Sequence, residues 1–269
     1  MLENIKMSLK QKLDKLYNTY NRKKYVHPDP VEFLHDYKDI REREIVGLIA
    51  ASLAYGRVKQ ILQSISYVLG IMGPSPAEFL ASVTPAALRK DFSNFRHRFA
   101  DGDHFAALLL GTKQTLLTFG SLYDCFLSGI HSRDTTTLSA LTFFVRNLTN
   151  TGNRSAGHLI PLPERGSACK RLQLFLRWMV RKDAVDPGGW AAVSASRLVV
   201  PLDVHMHKVG LGLGFTSRKL ADMQAALEIT AGFREMVPED PVRYDFALTR
   251  LGIRREADME TFLNNARIH

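Results

Sequence analysis

The sequence predicts an all-α protein. Apolar residues recur at steps of three and four along most of the chain, the period of a helix with one buried face. No stretch alternates apolar and polar residues long enough to make a strand, and no internal repeat or low-complexity tract is present. Ser, Thr or Asp repeatedly stands just before an apolar run, several times with proline next, which is how helices begin. The 269 residues are enough for one large helical unit or two smaller ones around a shared core.

Leu2, Ile5, Leu9, Leu13, Leu16 and Tyr20 lie on one face of a first helix over residues 2–20, with lysines on the other. His27-Pro28 ends it, and Asp29-Pro30 starts a second. His27, Asp29, His35 and Asp36 are all possible metal ligands, but their spacing matches no tight-binding motif and no metal is expected. From Arg41 to Val68 two helices meet at a sharp corner. Ile45 to Leu53 is apolar all round, as in a buried helix, and Ser52, Ala54, Tyr55 and Gly56 break the pattern before Val58 resumes it.

After the turn Gly73-Pro74-Ser75-Pro76, short helices follow over 76–80 and 85–92, capped by Ser75 and Thr84. Phe92, Phe95, Phe99 and Phe105 surround Arg96-His97-Arg98, and their three- and four-residue steps predict a core cluster with the basic residues outside. Helices are expected over 104–117 and 122–127, split by Gly120, and over 134–148 with Asp134 as cap. Residues 149–158 form a polar loop.

A Pro-rich approach then ends in the tight loop Gly166-Ser167-Ala168, and Lys170 and Arg171 open a helix that runs to about Arg181. Glycine tolerates such a turn, and the free amides of the helix start, with the positive end of its dipole, form a seat for phosphate. Asp186-Pro187-Gly188-Gly189 interrupts the chain before it returns through an apolar run to Pro201-Leu202-Asp203-Val204-His205-Met206-His207. Pro201 suits a helix start and Asp203 its N-terminal end. If the two arms fold together, Lys170 faces Asp203: an amine beside a carboxylate that orients it or takes its proton. Short helices complete the chain over 208–213, 218–236 with Thr216 or Ser217 as cap, 241–251 and 257–266.

This order of loop, Gly-x-small-x-Lys, helix, apolar run and Pro-Leu-Asp-Val-His-Met resembles the helix-hairpin-helix DNA glycosylases, most of all the 8-oxoguanine branch. Ala168 stands where that hairpin has a second glycine, Leu162-Pro163 is set back by Glu164-Arg165, and the spacer from Lys170 to Asp203 is long; these features are similar to the archaeal 8-oxoguanine glycosylases. The whole chain also resembles an uncharacterised bacterial family related to them. The resemblance implies one two-lobed helical unit over 1–269, with an inner lobe over about 42–155. The segments 1–41 and 156–269 form the other lobe, which carries the hairpin (160–182) and the aspartate. It implies base-excision repair of an oxidised purine, 8-oxoguanine, by a glycosylase and AP lyase that works through a lysine Schiff base. Lys170 and Asp203 are then catalytic, and Gly166, Ser167, Ala168, Arg171, His205, Tyr55 and Arg57 contact DNA. The implied partner is double-stranded DNA containing a damaged base, bound by a monomer associated with the nucleoid, with no cofactor.

Composition agrees with an anionic partner, since Lys plus Arg number 36 against 27 Asp plus Glu, a net charge of +9. The two cysteines, Cys125 and Cys169, are too few for a disulfide framework or a four-cysteine iron–sulfur cluster. Met1 to Lys15 is charged throughout and no stretch is apolar enough for a membrane span, so a cytoplasmic protein is expected. Two other readings of the same residues remain. Asp203, His205 and His207 on a strand would share one face, as ligands of a metal-dependent phosphohydrolase, and the hairpin could serve a non-catalytic DNA-binding protein.

Overall fold

The computed structural model describes residues 8–150, 155–254 and 259–263, and their regular structure is almost entirely helical. Helix α1 (Leu9–Tyr20) is closed at its start by a reciprocal pair, the Ser8 hydroxyl accepting from the Gln11 amide and the Gln11 side chain from that of Ser8. Leu2 and Ile5 of the expected helix lie outside the described residues. Asp29 and Glu32 make the same capping box on a 3-10 helix, Pro30–Asp36, so the Asp-Pro signal marks a start as expected but of a tighter helix.

Helix α2 (Ile40–Ser52), capped by Asp39, is the buried helix of the sequence, with every residue from Ile45 to Ala51 inside. Gly56, at φ +99°, turns the corner into α3 (Val58–Met72). Ser75 and Thr84 cap α4 (Pro76–Ser82) and α5 (Pro85–Asp91). A two-residue antiparallel hairpin then intervenes, β1 (Arg96–His97) paired with β2 (Ala100–Asp101). Phe92, Phe95 and Phe105 are buried as expected, whereas Phe99, at the hairpin tip, is 74% exposed.

Helix α6 (Gly102–Phe119) starts where the Asp101 carboxylate accepts from the His104 amide, and α7 (Leu122–Ser128) follows Ser121. Helix α8 (Leu138–Thr149) begins four residues later than Asp134 suggested, because the Asp134 carboxylate is engaged by the His131 amide and the Ser139 hydroxyl. Then come α9 (Lys170–Val180), α10 (Val204–Gly212), α11 (Met223–Met236) and α12 (Asp245–Arg254). Asp222, and not Thr216 or Ser217, caps α11: the Thr216 hydroxyl is taken by the Arg218 amide and donates to Glu228. Residues 259–263 are helical, and the rest of the expected 257–266 helix lies outside the described residues.

Helix α2 packs against α9, α7 and the 3-10 helix; α6, α7 and α8 pack on one another; α1 lies on α12, and α10 on α11 and α12. One continuous apolar core links them. Trp190 sits at its centre, fully buried, with the rings of Tyr123, Phe126, Phe144 and Phe175 at 5.1 to 6.3 Å. Its indole N–H donates to Glu44, whose buried carboxylate also accepts the Leu122 and Tyr123 amides at 2.7 and 3.0 Å. That carboxylate fixes the start of α7 against α2. Burial pushes it up to about 7 against the pull of its three donors. Among the described residues, no helix is long and apolar enough to cross a membrane.

Candidate active site

The approach to α9 is built by backbone geometry. After a 3-10 turn, Pro163–Arg165, the exposed Gly166 takes φ +77°, and its carbonyl accepts from the Met223 amide at 3.1 Å. Ser167 bridges to Asp222, Ala168 is buried, and Cys169 adopts a left-handed φ of 49° directly before the helix. No side chain caps α9, so its first amides are left for another acceptor. Cys169 is 1% exposed and burial pushes its thiol up to about 11, which makes it a packed residue and not a nucleophile.

Lys170, in the first turn, meets Asp203 across the fold: Nζ lies 3.0 Å from Oδ2. Asp203 caps α10, its Oδ1 accepting from the Met206 amide at 2.9 Å. The cap therefore fixes one oxygen and leaves the other for the lysine. Burial acts to raise this carboxyl, but the Lys170 ammonium and the Met206 amide outweigh it and hold it below the ordinary value.

The pair opens on a cavity of about 300 Å³ between α9, α10, α12 and the α2–α3 corner. Ala54, Gly56 and Val58 line the corner side, His205 the α10 side, and Leu174 and Trp178 the α9 side. On its floor lie Arg177 and Asp245, which sequence reasoning missed. Arg177 pairs with Asp186 at 3.2 Å and donates to Asp245, and all three are buried. Next to it Arg181 joins Asp186, Asp183 and Asp240. Burial pushes the Asp245 carboxyl up to about 6; Arg177 opposes that and the neighbouring Asp203 charge adds to it. The seven-residue step from Lys170 to Arg177 places both on one face of α9, a signal present in the sequence. Asp245 comes from a distant helix and carries no such signal.

The other expected contact residues divide. His205 is exposed at the cavity, and Arg57 is exposed at the start of α3. Tyr55 and Arg171 turn inward. The Tyr55 hydroxyl donates to the His97 carbonyl at 2.9 Å and lies 2.7 Å from His158 Nε2. Arg171 stacks on the Tyr55 ring and donates to the carbonyls of Ser52 and His158. Both serve here to hold α9 to the α2–α3 corner.

The phosphohydrolase geometry is not formed. Residues 204–212 are helical, so His205 and His207 point to different sides, and His207 Nε2 lies 2.8 Å from the Arg218 carbonyl. Among the described residues no three His, Cys, Asp or Glu side chains converge as a metal site, and the set at His27, Asp29, His35 and Asp36 is divided: Asp29 pairs with Arg250, and His35 meets the Val185 carbonyl.

A family model for a protein of unknown function, DUF2400, matches residues 29–254. The chain belongs to that family. The match includes all of the cavity-lining residues named above. Neither a curated protein nor a solved structure matches the chain.

Proposed function

We propose that this DUF2400 protein is a DNA base-excision enzyme, a glycosylase and AP lyase of the helix-hairpin-helix type with a two-lobed fold, acting on an oxidised purine through a lysine Schiff base. The observation that carries this reading is the Lys170–Asp203 contact of 3.0 Å at the mouth of a cavity beside an uncapped helix start. A nucleotide extruded from the stack puts its base in the cavity and its sugar at the mouth. The uncapped amides of α9 suit the phosphate that follows.

Lys170 loses its proton to water, and the neutral amine, held by the ionised Asp203, attacks C1′ of the sugar. The C1′–base bond breaks, the base leaves with the electron pair and takes up a proton, and the negative Asp203 stabilises the charge developing on the sugar. Ring opening gives the C1′=Nζ Schiff base. Loss of a C2′ proton then expels the 3′ phosphate and nicks the strand. The depressed carboxyl of Asp203 suits it to stay ionised through this sequence.

The test is borohydride trapping in the presence of a chelator, on duplexes carrying 8-oxoguanine, an abasic site or no lesion. A covalent adduct on the first two and none on the third is expected. An adduct on the abasic duplex alone would reduce the assignment to a lyase, and none on any duplex would end it.

A further inference from the structure

Lys170 and Arg171 are neighbours in the first turn of α9, and they reach to different sides of the cavity. Lys170 pairs with Asp203 on the α10 side. Arg171 goes to the corner between α2 and α3. One Nη donates to the Ser52 carbonyl at 2.7 Å and the other to the His158 carbonyl, with the guanidinium 4.7 Å from the centre of the Tyr55 ring. Ser52 is the last residue of α2, where carbonyls lack a partner within the helix. One planar, forked group thus joins the end of α2, the corner and the approach to α9. A lysine ammonium cannot replace it, since it does not fork between two carbonyls while stacking on a ring.

The corner that Arg171 grips is itself held in place. The Tyr55 hydroxyl donates to the His97 carbonyl at 2.9 Å and lies 2.7 Å from His158 Nε2. The Tyr55 carbonyl lies 3.1 Å from Nε2 of the fully buried His97, whose Nδ1 is 2.8 Å from the Ser64 hydroxyl of α3. Ala54 and Gly56, on either side of Tyr55, line the cavity. That wall is therefore tied through Arg171 to the turn that carries Lys170, and this turn has no side-chain cap of its own.

Resting on the base-excision reading above, we propose that Arg171 is a positioning residue, which sets the distance between the Lys170 amine and the cavity wall formed by the α2–α3 corner. A nucleotide that still carries its base is located by that wall, and its C1′ must then lie within about 3–3.5 Å of the amine for attack. The wall and the amine belong to different elements, and Arg171 fixes one against the other. An abasic site brings no base to the wall. Its open-chain aldehyde reaches the amine without that registration, so the demand on Arg171 falls on the base-bearing substrate.

The experiment measures single-turnover borohydride trapping, at saturating enzyme, on duplexes carrying 8-oxoguanine or an abasic site at the same position. Arg171→Met is expected to slow the 8-oxoguanine reaction by about a hundredfold and the abasic reaction by no more than about threefold. Arg171→Lys, which keeps a charge at the site, should show the same selective loss. Affinity for a duplex with an uncleavable tetrahydrofuran site, read by fluorescence anisotropy, should match the wild type, so that the loss lies in the rate and not in binding. An equal fall on both duplexes would make Arg171 a support of the fold alone. Such a fall, a wild-type rate on 8-oxoguanine, or a loss confined to affinity would overturn the positioning role and leave the lysine chemistry standing. No adduct between the wild type and the 8-oxoguanine duplex would overturn the glycosylase reading and this inference together.

Discussion

Two sets of ion pairs lie one above the other on α9 and differ in what surrounds them. Lys170 and Asp203 meet at the cavity mouth with 37% and 23% of their side chains exposed, one amine against one carboxylate. Two turns below, Arg177 and Arg181 are buried with Asp186 and Asp245, and Asp183 and Asp240 close the cluster at its partly exposed edge. An exposed pair contributes little to folding and stays free to exchange protons and partners. A buried one is costly to break, because removing either partner strands the other charge in the interior. The same kind of contact is therefore suited to chemistry at one level and to holding α9, α12 and the 183–186 turn together at the next.

The largest effect should come from breaking the lower level. Arg177→Met leaves Asp186 and Asp245 without their shared counter-charge and should destabilise the fold by about 3–5 kcal/mol, read by chemical denaturation. Lys170→Gln should shift that midpoint hardly at all while removing activity. A Lys170→Gln protein as unstable as Arg177→Met would erase the distinction between the two levels.

Asp203→Asn and Asp245→Asn sharpen the comparison through pH. The Asp203 carboxyl is held below its ordinary value, so its contribution to stability is present above that value and is lost as pH falls through the depressed one. Asp245 is raised from 3.8 to about 6 by burial, so its contribution is present below 3.8 and lost as pH rises to about 6. Denaturation midpoints between pH 3 and 7 should show a smaller decline between 3.8 and 6 in Asp245→Asn, the remainder coming from the other raised carboxyls, Glu44, Asp186 and Asp240, with Asp203→Asn keeping the full decline. Asp203→Asn should also be severely impaired in trapping. An unchanged decline in Asp245→Asn would show that another group is responsible.

Away from α9, Glu44→Gln places an amide among three donors and should cost about 1–3 kcal/mol by thermal denaturation. The smallest effect is expected at Gly56→Ala. The added methyl strains a φ of +99° and meets only the flexible arm of Arg98, so stability should drop by about 1 kcal/mol, read by thermal denaturation. A loss as large as that of Arg177→Met would show that the corner, and not the buried ion pairs, holds α9 in place.

The fold was readable wherever a local rule decided it. The capping residues Asp29, Ser75 and Thr84 and the unbroken apolar run of α2 act within a few residues of themselves, and each is found as expected. Where two local rules competed, the pattern misled. Phe92, Phe95 and Phe99 keep helical spacing, yet the chain turns at Arg98 and sends the last ring outward. Asp134 and Thr216 are good caps whose oxygens are already taken. In the site, Lys170 and Asp203 could be singled out from their places at two helix starts, but their meeting depended on the two arms folding together, which no local rule decides. Tyr55 and Arg171 could not be placed, since whether an arginine faces solvent or a buried carbonyl depends here on Ser52, 119 residues away, and on how the loop at His158 folds back. Asp245 falls inside the helix expected over 241–251, where nothing local marks it, and only its burial against Arg177 makes it part of the cavity floor.

The central claim is that Lys170 forms the covalent bond, and mass-spectrometric mapping of the borohydride-reduced adduct on an abasic-site duplex tests it most directly. The account predicts the sugar remnant on the peptide carrying Lys170, with no adduct in Lys170→Gln. An adduct on a different lysine, or undiminished trapping by Lys170→Gln, would contradict it.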